Sequence, residues 1–312
     1  MKIVIAGSGA MGATYGSMLA KAGNQVVFLD SWQDNIDSIN QYGCKFNNLG
    51  TDEVIPIQAC KPSEFTDIPD LVIVFTKSMQ LSNMLESVKH LFGANTRVLC
   101  LLNGLGHTDT LKRFVDPKNI LMGVTVLTAS MQGAGSFKVS NYGKTEIQNI
   151  VDDKEAIEGA KKVVETINNS GLPTVYSEDI MYSIWRKACI NGTMNACCTI
   201  LQCNMEQLGT IPNLRHLLGQ IVTEFAMVAK EQGTTLDVKE MTDLVCWFTT
   251  SEFQGVKHYP SMYQDLINNH RKTEIDFLNG YVAKKAKEAG KEAFYCELIT
   301  EFVHGKEKIL GV

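Results

Sequence analysis

The opening run "KIVIAGSGAMGATYGSMLAK", residues 2–21, limits this chain more than any other feature. A short β-rich apolar strand ends directly in glycines at 7, 9 and 12, and a helical pattern takes over from about Met11 to Lys21. G-x-G-x-x-G means little alone, but between a strand and a helix each glycine has a physical task. Gly7 permits the tight turn, Gly9 lets a pyrophosphate reach the backbone, and Gly12 lets the helix pack closely on the strand. The helix start adds free N–H groups and the positive dipole end. Gly7, Ser8, Gly9, Ala10, Met11 and Gly12 are therefore the candidate dinucleotide-binding loop. A glycine turn without a ligand is the bland alternative, and the strand-loop-helix context weighs against it.

The second strand, "QVVFLD", ends in Asp30, 18 residues beyond Gly12. An acid there can accept hydrogen bonds from both adenosine ribose hydroxyls and repels a 2′-phosphate. The following "SWQDN" has no Arg or Lys to hold such a phosphate. The expected cofactor is NAD rather than NADP; the competing role for Asp30 is a turn or helix cap.

Further on, "LVIVFTK" and "RVLCLLN" are continuous apolar runs, as expected of strands buried on both faces of a parallel sheet. The βαβα order predicts a doubly wound α/β sheet with right-handed crossovers. "CKFNNLG…VIPIQA" reads as an inserted hairpin, and "ILMGVTVLTAS", "FKVS" and "TEIQNI" read as strands extending the same sheet. After "SGLPTVYSED" the pattern is helical almost throughout, with Pro212 and Pro260 where helices begin. The expected organisation is a Rossmann dinucleotide-binding domain over 1–177 and an all-helical substrate and dimerisation domain over 178–312, with a crevice between them.

Composition excludes several classes. The net charge of -5 argues against a nucleic-acid binder. No window approaches the roughly 18 apolar residues of a membrane span, and the apolar run before the first glycine is too short for a signal-peptide core. The expected location is the cytoplasm. Nine cysteines, none in C-x-x-C and most in apolar segments, read as buried reduced thiols. The histidines lack metal-ligand spacing, so no metal is expected.

"KACINGTMN" sets Lys187, Asn191 and Asn195 four residues apart, over roughly 80° of one helix face. Asn is a poor helix-interior residue because its amide competes with the backbone. Two in register with a lysine suggest contact with something polar; the alternatives are a solvated face or amides satisfied across a helix contact.

Together, "GSGAMG", "TKSMQ", "LLNGLG", "KACINGTMN" and "PSMYQDL…TEIDFLNG" resemble the ketopantoate reductase (2-dehydropantoate 2-reductase) family across nearly the whole chain. The chain is similar also to that family's NAD-dependent D-2-hydroxyacid dehydrogenases of the D-mandelate type. The resemblance implies Lys187 as proton donor to the substrate carbonyl, and Asn191, Asn195 and Ser261 as substrate-binding residues. It implies Asn103 in contact with cofactor and substrate, Lys77 and Ala129 on the cofactor side, and Glu274 near the nicotinamide ribose. Asn204 matches a substrate position only with a one-residue slip. Two departures, Asp30 where many members are basic and "HYP" before Ser261, favour a catabolic NAD dehydrogenase over an NADPH reductase of pantothenate synthesis.

Residue by residue, structural roles compete. "PSMYQ" has the form of a capping box with Ser261 at the N-cap and Gln264 at N3. Glu274 sits three residues after Arg271 and can pair with it on a helix. Asn103-Gly104 is a turn signature, although the carboxyl end of a strand is where ligands bind in open sheets. The chemistry agrees with the resemblance. Reduction of a 2-keto acid builds negative charge on the carbonyl oxygen, which a cation stabilises and then protonates. The expected activity is NAD(H)-dependent interconversion of a C3-branched 2-keto acid and its D-2-hydroxy acid by a homodimer. The alternatives are NADPH-dependent 2-dehydropantoate reduction, a 3-hydroxyisobutyrate-type dehydrogenase, and a non-catalytic NAD sensor. The 3-hydroxyisobutyrate type lacks its glycine-rich approach here, and the sensor has no need of the Lys/Asn stripe.

Overall fold

A computed structural model describes all 312 residues. Two compact units emerge: Met1–Leu102 with His107–Ile180, and Asn103–Gly106 with Met181–Val312.

The first unit runs β1 (Lys2–Ala6), α1 (Ala10–Lys21), β2 (Gln25–Leu29), α2 (Gln33–Tyr42), β3 (Cys44–Asn48), β4 (Thr51–Ile55), β5 (Gln58–Cys60), β6 (Leu71–Val74), α3 (Leu81–Val88), β7 (Arg97–Cys100), α4 (His107–Leu111), β8 (Ile120–Thr125), β9 (Thr128–Gly133), β10 (Ser136–Asn141), β11 (Thr145–Asn149), α5 (Lys154–Asn169) and β12 (Thr174–Tyr176). Eight strands make one sheet in the order β12-β11-β8-β7-β6-β1-β2-β5. Every pairing in it is parallel except that of β11 with β8. The central runs Ile3–Ala6 and Leu71–Val74 lose all solvent contact, which is why they carry no polar alternation. Strand order reverses between β1 and β6, and the glycine loop leaves β1 at that switch point, where open sheets bind ligands. This is the doubly wound Rossmann-type sheet expected.

One expectation fails. "FKVS" and the "TAS" segment do not extend this sheet. As β10 and β9 they join β3 and β4 in a separate four-stranded sheet, ordered β4-β3-β10-β9. The reason is in the pattern: these strands bury only one face. Cys44, Phe46, Phe137 and Val139 point into the core, and the residues between them stay outside. That apolar face lies on α1, which contacts β3, β9 and β10.

The second unit is helical: α6 (Ile180–Leu201, whose first residue groups with the sheet unit), α7 (Met205–Leu208), α8 (Leu214–Glu231), α9 (Val238–Trp247), α10 (Ser261–Tyr263), α11 (Asn279–Glu288) and α12 (Phe294–Leu310). Trp185, Phe225, Ile221, Val282 and Val303 are among its buried residues. α6 packs closely on α8 because Gly192 has no side chain: a Cβ there would overlap the Phe225 ring. Asn103–Gly106 groups with the helices because the Leu105 N–H donates to the Phe277 carbonyl at 2.8 Å. Gly104, at φ +102°, has Phe277 against the space a Cβ would take. No helix is long and apolar enough to cross a membrane. All nine cysteines are free thiols, and burial pushes Cys100, Cys189 and Cys197 up to about 12.

Candidate active site

The glycine loop tests whether a dinucleotide fits. Gly7 has φ +100°, and a Cβ on it would press on the Phe75 carbonyl oxygen at 2.9 Å. A Cβ on Gly12 would overlap the Gly7 carbonyl oxygen. Both positions are closed to side chains by the fold itself. Gly9 is different: nothing lies within 4 Å of where its Cβ would be. That open ground faces the N-terminus of α1, where Gly9 is the N-cap and Ala10, Met11 and Gly12 form the first turn with no side chain capping them. No acid stands in that turn to compete with a phosphate. These residues fit a pyrophosphate.

Asp30 follows β2, half-buried. Its Oδ2 accepts from the Ser8 N–H at 3.2 Å, from the Ser8 hydroxyl in a very short bond, and from Asn35 Nδ2 at 3.2 Å. Its Oδ1 accepts from the N–H groups of Ser31 at 2.7 Å and Trp32 at 3.1 Å. Ser8 is fully buried. Lys77 lies just past β6, where its carbonyl accepts from Gln80 as a short 3₁₀ turn begins. Ala129 pairs with Val139 in β9, the edge strand of the smaller sheet.

On the second unit, Lys187, Asn191 and Asn195 lie along α6, a helix buried on most faces. The Thr193 and Thr199 hydroxyls bond back to the carbonyls of Cys189 and Asn195, so they need no outside partner. Lys187 is half-buried as a residue, but its amine is enclosed by protein. Desolvation lowers its pKa to about 8, and the opposing pull of the Glu274 carboxylate only partly offsets this. Asn195 is 8 % exposed, and its Nδ2 donates to Ser261 Oγ at 3.3 Å. Helix spacing and tertiary packing thus bring Lys187, Asn191, Asn195, Ser261 and Glu274 into one neighbourhood.

Two structural alternatives for these residues do not form. Ser261 is not an N-cap. Pro260 takes that position, no side chain caps α10, and Gln264 donates instead to the Tyr259 carbonyl at 2.8 Å. With Pro260 at the boundary the helix starts one residue earlier, at Ser261, and the serine hydroxyl accepts from Asn195 instead of capping. Glu274 does not pair with Arg271 on a helix. Arg271 reaches Asp265 at 3.3 Å, and Glu274 precedes a single 3₁₀ turn, Ile275–Phe277. Asn204 does have a structural task. Its side-chain Oδ1 accepts from the Gln207 N–H at 2.9 Å, and its own N–H donates to Gln207 Oε1 at 3.0 Å, a capping box for α7. Asn103 stands in the segment pinned to Phe277.

Sequence reasoning missed two buried supports. Asn35, wholly buried, holds Asp30 and Ser8; the only hint was its place beside Ile36 on the buried face of α2. Glu307, on α12, accepts from the Thr273 N–H at 2.8 Å and hydroxyl at 2.7 Å, fixing the residue before Glu274. Nothing local in the sequence joins positions 34 residues apart.

Residues 3–152 match the family model described as ketopantoate reductase PanE/ApbA, and residues 179–307 match its C-terminal model. The chain is 44% identical to a 2-dehydropantoate 2-reductase of Lactococcus lactis, covering 99% of each. It is 40% identical to one of Streptococcus pyogenes, covering 100% of each. Among solved structures it is similar to D-mandelate dehydrogenase in its ternary structure with NADH and anilino(oxo)acetate. That similarity has a TM-score of 0.94 and 44% identity, with 100% of both chains covered.

Proposed function

The chain belongs to the ketopantoate reductase family of oxidoreductases, and from that premise we propose that it interconverts a C3-branched 2-keto acid and its D-2-hydroxy acid with NAD(H). The observation that carries the reading is Lys187: an amine whose pKa is lowered to about 8, on one helix face with two amides. When bound, the nicotinamide cofactor supplies the hydride that reduces the keto carbon. As that carbon is reduced, negative charge grows on its oxygen; the Lys187 ammonium stabilises it and donates the proton that completes the alcohol. In the oxidative direction the neutral amine takes the proton back. Asn191, Asn195 and Ser261 hold the substrate carboxylate and the oxygen on the reacting carbon without adding charge. Glu274 keeps part of the Lys187 population protonated near neutral pH. Gly7 to Gly12 take the pyrophosphate and Asp30 disfavours a 2′-phosphate, with Lys77, Asn103 and Ala129 on the cofactor side. Asn204 has the weakest support, because its side chain caps α7.

A second reading has its own support. The Lactococcus and Streptococcus relatives are named 2-dehydropantoate 2-reductase, which favours reduction of ketopantoate, with NADPH as the cofactor to test. The D-mandelate dehydrogenase structure holds NADH, which favours the first. Initial rates with NADH and NADPH, each against ketopantoate, phenylglyoxylate and 2-ketoisovalerate, separate them. The proposal expects NADH-dependent turnover of the last two with ketopantoate slow. NADPH-dependent turnover dominated by ketopantoate supports the second reading, and NADH binding with no turnover supports a sensor.

A further inference from the structure

The five donors around Asp30 have a geometry of their own. Two side chains, Ser8 and Asn35, both wholly buried, and three backbone N–H groups, those of Ser8, Ser31 and Trp32, converge on one carboxylate. A carboxylate offers about four lone-pair directions, and five protein donors already point at this one. Converging N–H and O–H groups with no nearby cation are what protein sites present to a phosphate. Asn35 cannot turn its amide around at no cost. The Gly135 N–H donates to its Oδ1 at 2.8 Å, and this fixes Nδ2 toward Ser8 Oγ at 3.0 Å and toward Asp30. The Gly135 turn is itself held to α2, where the Ser38 hydroxyl donates to the Ala134 carbonyl at 3.0 Å. Asn35 is therefore held in place by the packing of α2 against the β9–β10 turn, through bonds that do not involve Asp30.

We propose that Ser8, Asn35 and the backbone of residues 31–32 form a phosphate-type anion pocket that Asp30 fills. Asp30 then selects against a 2′-phosphorylated adenosine by occupying its donors as well as by repelling its charge. Asn35 is the positioning residue that decides whether the pocket exists. The proposal deepens the NAD reading above and rests on it. It makes a distinction that charge repulsion alone does not. Asp30→Asn removes the charge but leaves a plug of the same shape; Asp30→Ala removes the plug.

The test is calorimetric titration of adenosine 2′-phosphate, NADH and NADPH into the full-length protein and its variants. Asp30→Ala is expected to bind adenosine 2′-phosphate at least about tenfold more tightly than the wild type, as befits charge-assisted bonds to several donors. Asp30→Asn is expected to gain less than about threefold, and adding Asn35→Ala to Asp30→Ala is expected to cancel most of the gain. If the uncovered donors lower the melting temperature of Asp30→Ala, adenosine 2′-phosphate should raise it again, and adenosine should not. Equal gains in Asp30→Asn and Asp30→Ala, no gain in either, or a double variant that binds as tightly as Asp30→Ala would each overturn the pocket. An NADH-selective wild type with one of those results sinks the pocket alone. A wild type that already binds adenosine 2′-phosphate tightly sinks the NAD reading with it.

Discussion

At the end of β1 the proposed binding surface is backbone left bare by glycine; along α6 it is a row of side chains on a helix buried nearly all round. The first is local. Six consecutive residues, one strand and one helix define it, and the closest constraints on Gly7 and Gly12 come from Phe75 and from the loop itself. The second is assembled from afar. Lys187 feels Glu274, Asn195 holds Ser261, and Glu307 fixes the residue before Glu274. A site made of missing side chains tolerates only additions that point into open space. A site made of side chains can be dismantled one functional group at a time. The predictions exploit that difference.

The largest effect is expected at Lys187. Lys187→Ala should lower kcat by roughly 10²–10⁴ while leaving NADH affinity unchanged, because the amine belongs to the proton step and not to the dinucleotide loop. Steady-state kinetics with parallel NADH titration checks this; an equal loss in NADH affinity would mean that the two regions are not separable.

The glycines come next, and they should split. Gly12→Ala places a methyl group on the Gly7 carbonyl and should destabilise the protein by about 1–3 kcal/mol or more. Gly9→Ala faces open space and should change stability by less than about 0.5 kcal/mol, yet weaken NADH binding. Thermal melting beside NADH titration reads both, and a Gly9→Ala variant that binds NADH normally would break the assignment of that ground to the pyrophosphate.

A subtler change is expected at Glu274, whose charge raises the Lys187 pKa against the larger effect of burial. Glu274→Gln should therefore move the pH midpoint of reduction downward, toward acid. An upward move would contradict the proposed pairing. The smallest effect belongs to Ser261. Losing one hydrogen-bonding hydroxyl, Ser261→Ala should raise the KM for the keto acid by about fivefold with kcat nearly unchanged.

The same contrast explains what the sequence disclosed. β1, β2, β6 and β7 were legible because a strand buried on both faces must be apolar throughout, and the loop because glycine spacing is local. The smaller sheet was not: the one-sided burial of Phe46, Phe137 and Val139 looks like any half-exposed strand, and nothing nearby states which sheet it joins. On α6 the four-residue spacing showed a polar stripe, but not the support it receives. For Ser261 the flanking residues allowed a helix cap as readily as the substrate role that the resemblance implies, and only the folded chain, with Pro260 at the N-cap and Asn195 on the hydroxyl, rules the cap out. Asn35 and Glu307 were invisible for the same reason: a buried polar residue is defined by its partners, and theirs lie on other elements.

The most direct test of the central claim is the pH dependence of kcat/KM, in both directions, with the best 2-keto acid and its D-2-hydroxy acid, from about pH 6 to about pH 10. Lys187 must be protonated to give its proton and neutral to take one. NADH-dependent reduction should therefore fall as pH rises through a midpoint near 8, and NAD-dependent oxidation should rise through the same midpoint. Lys187→Ala should lose both steps. Profiles that stay flat across that range, or wild-type steps that survive in Lys187→Ala, would contradict the assignment of the proton to Lys187.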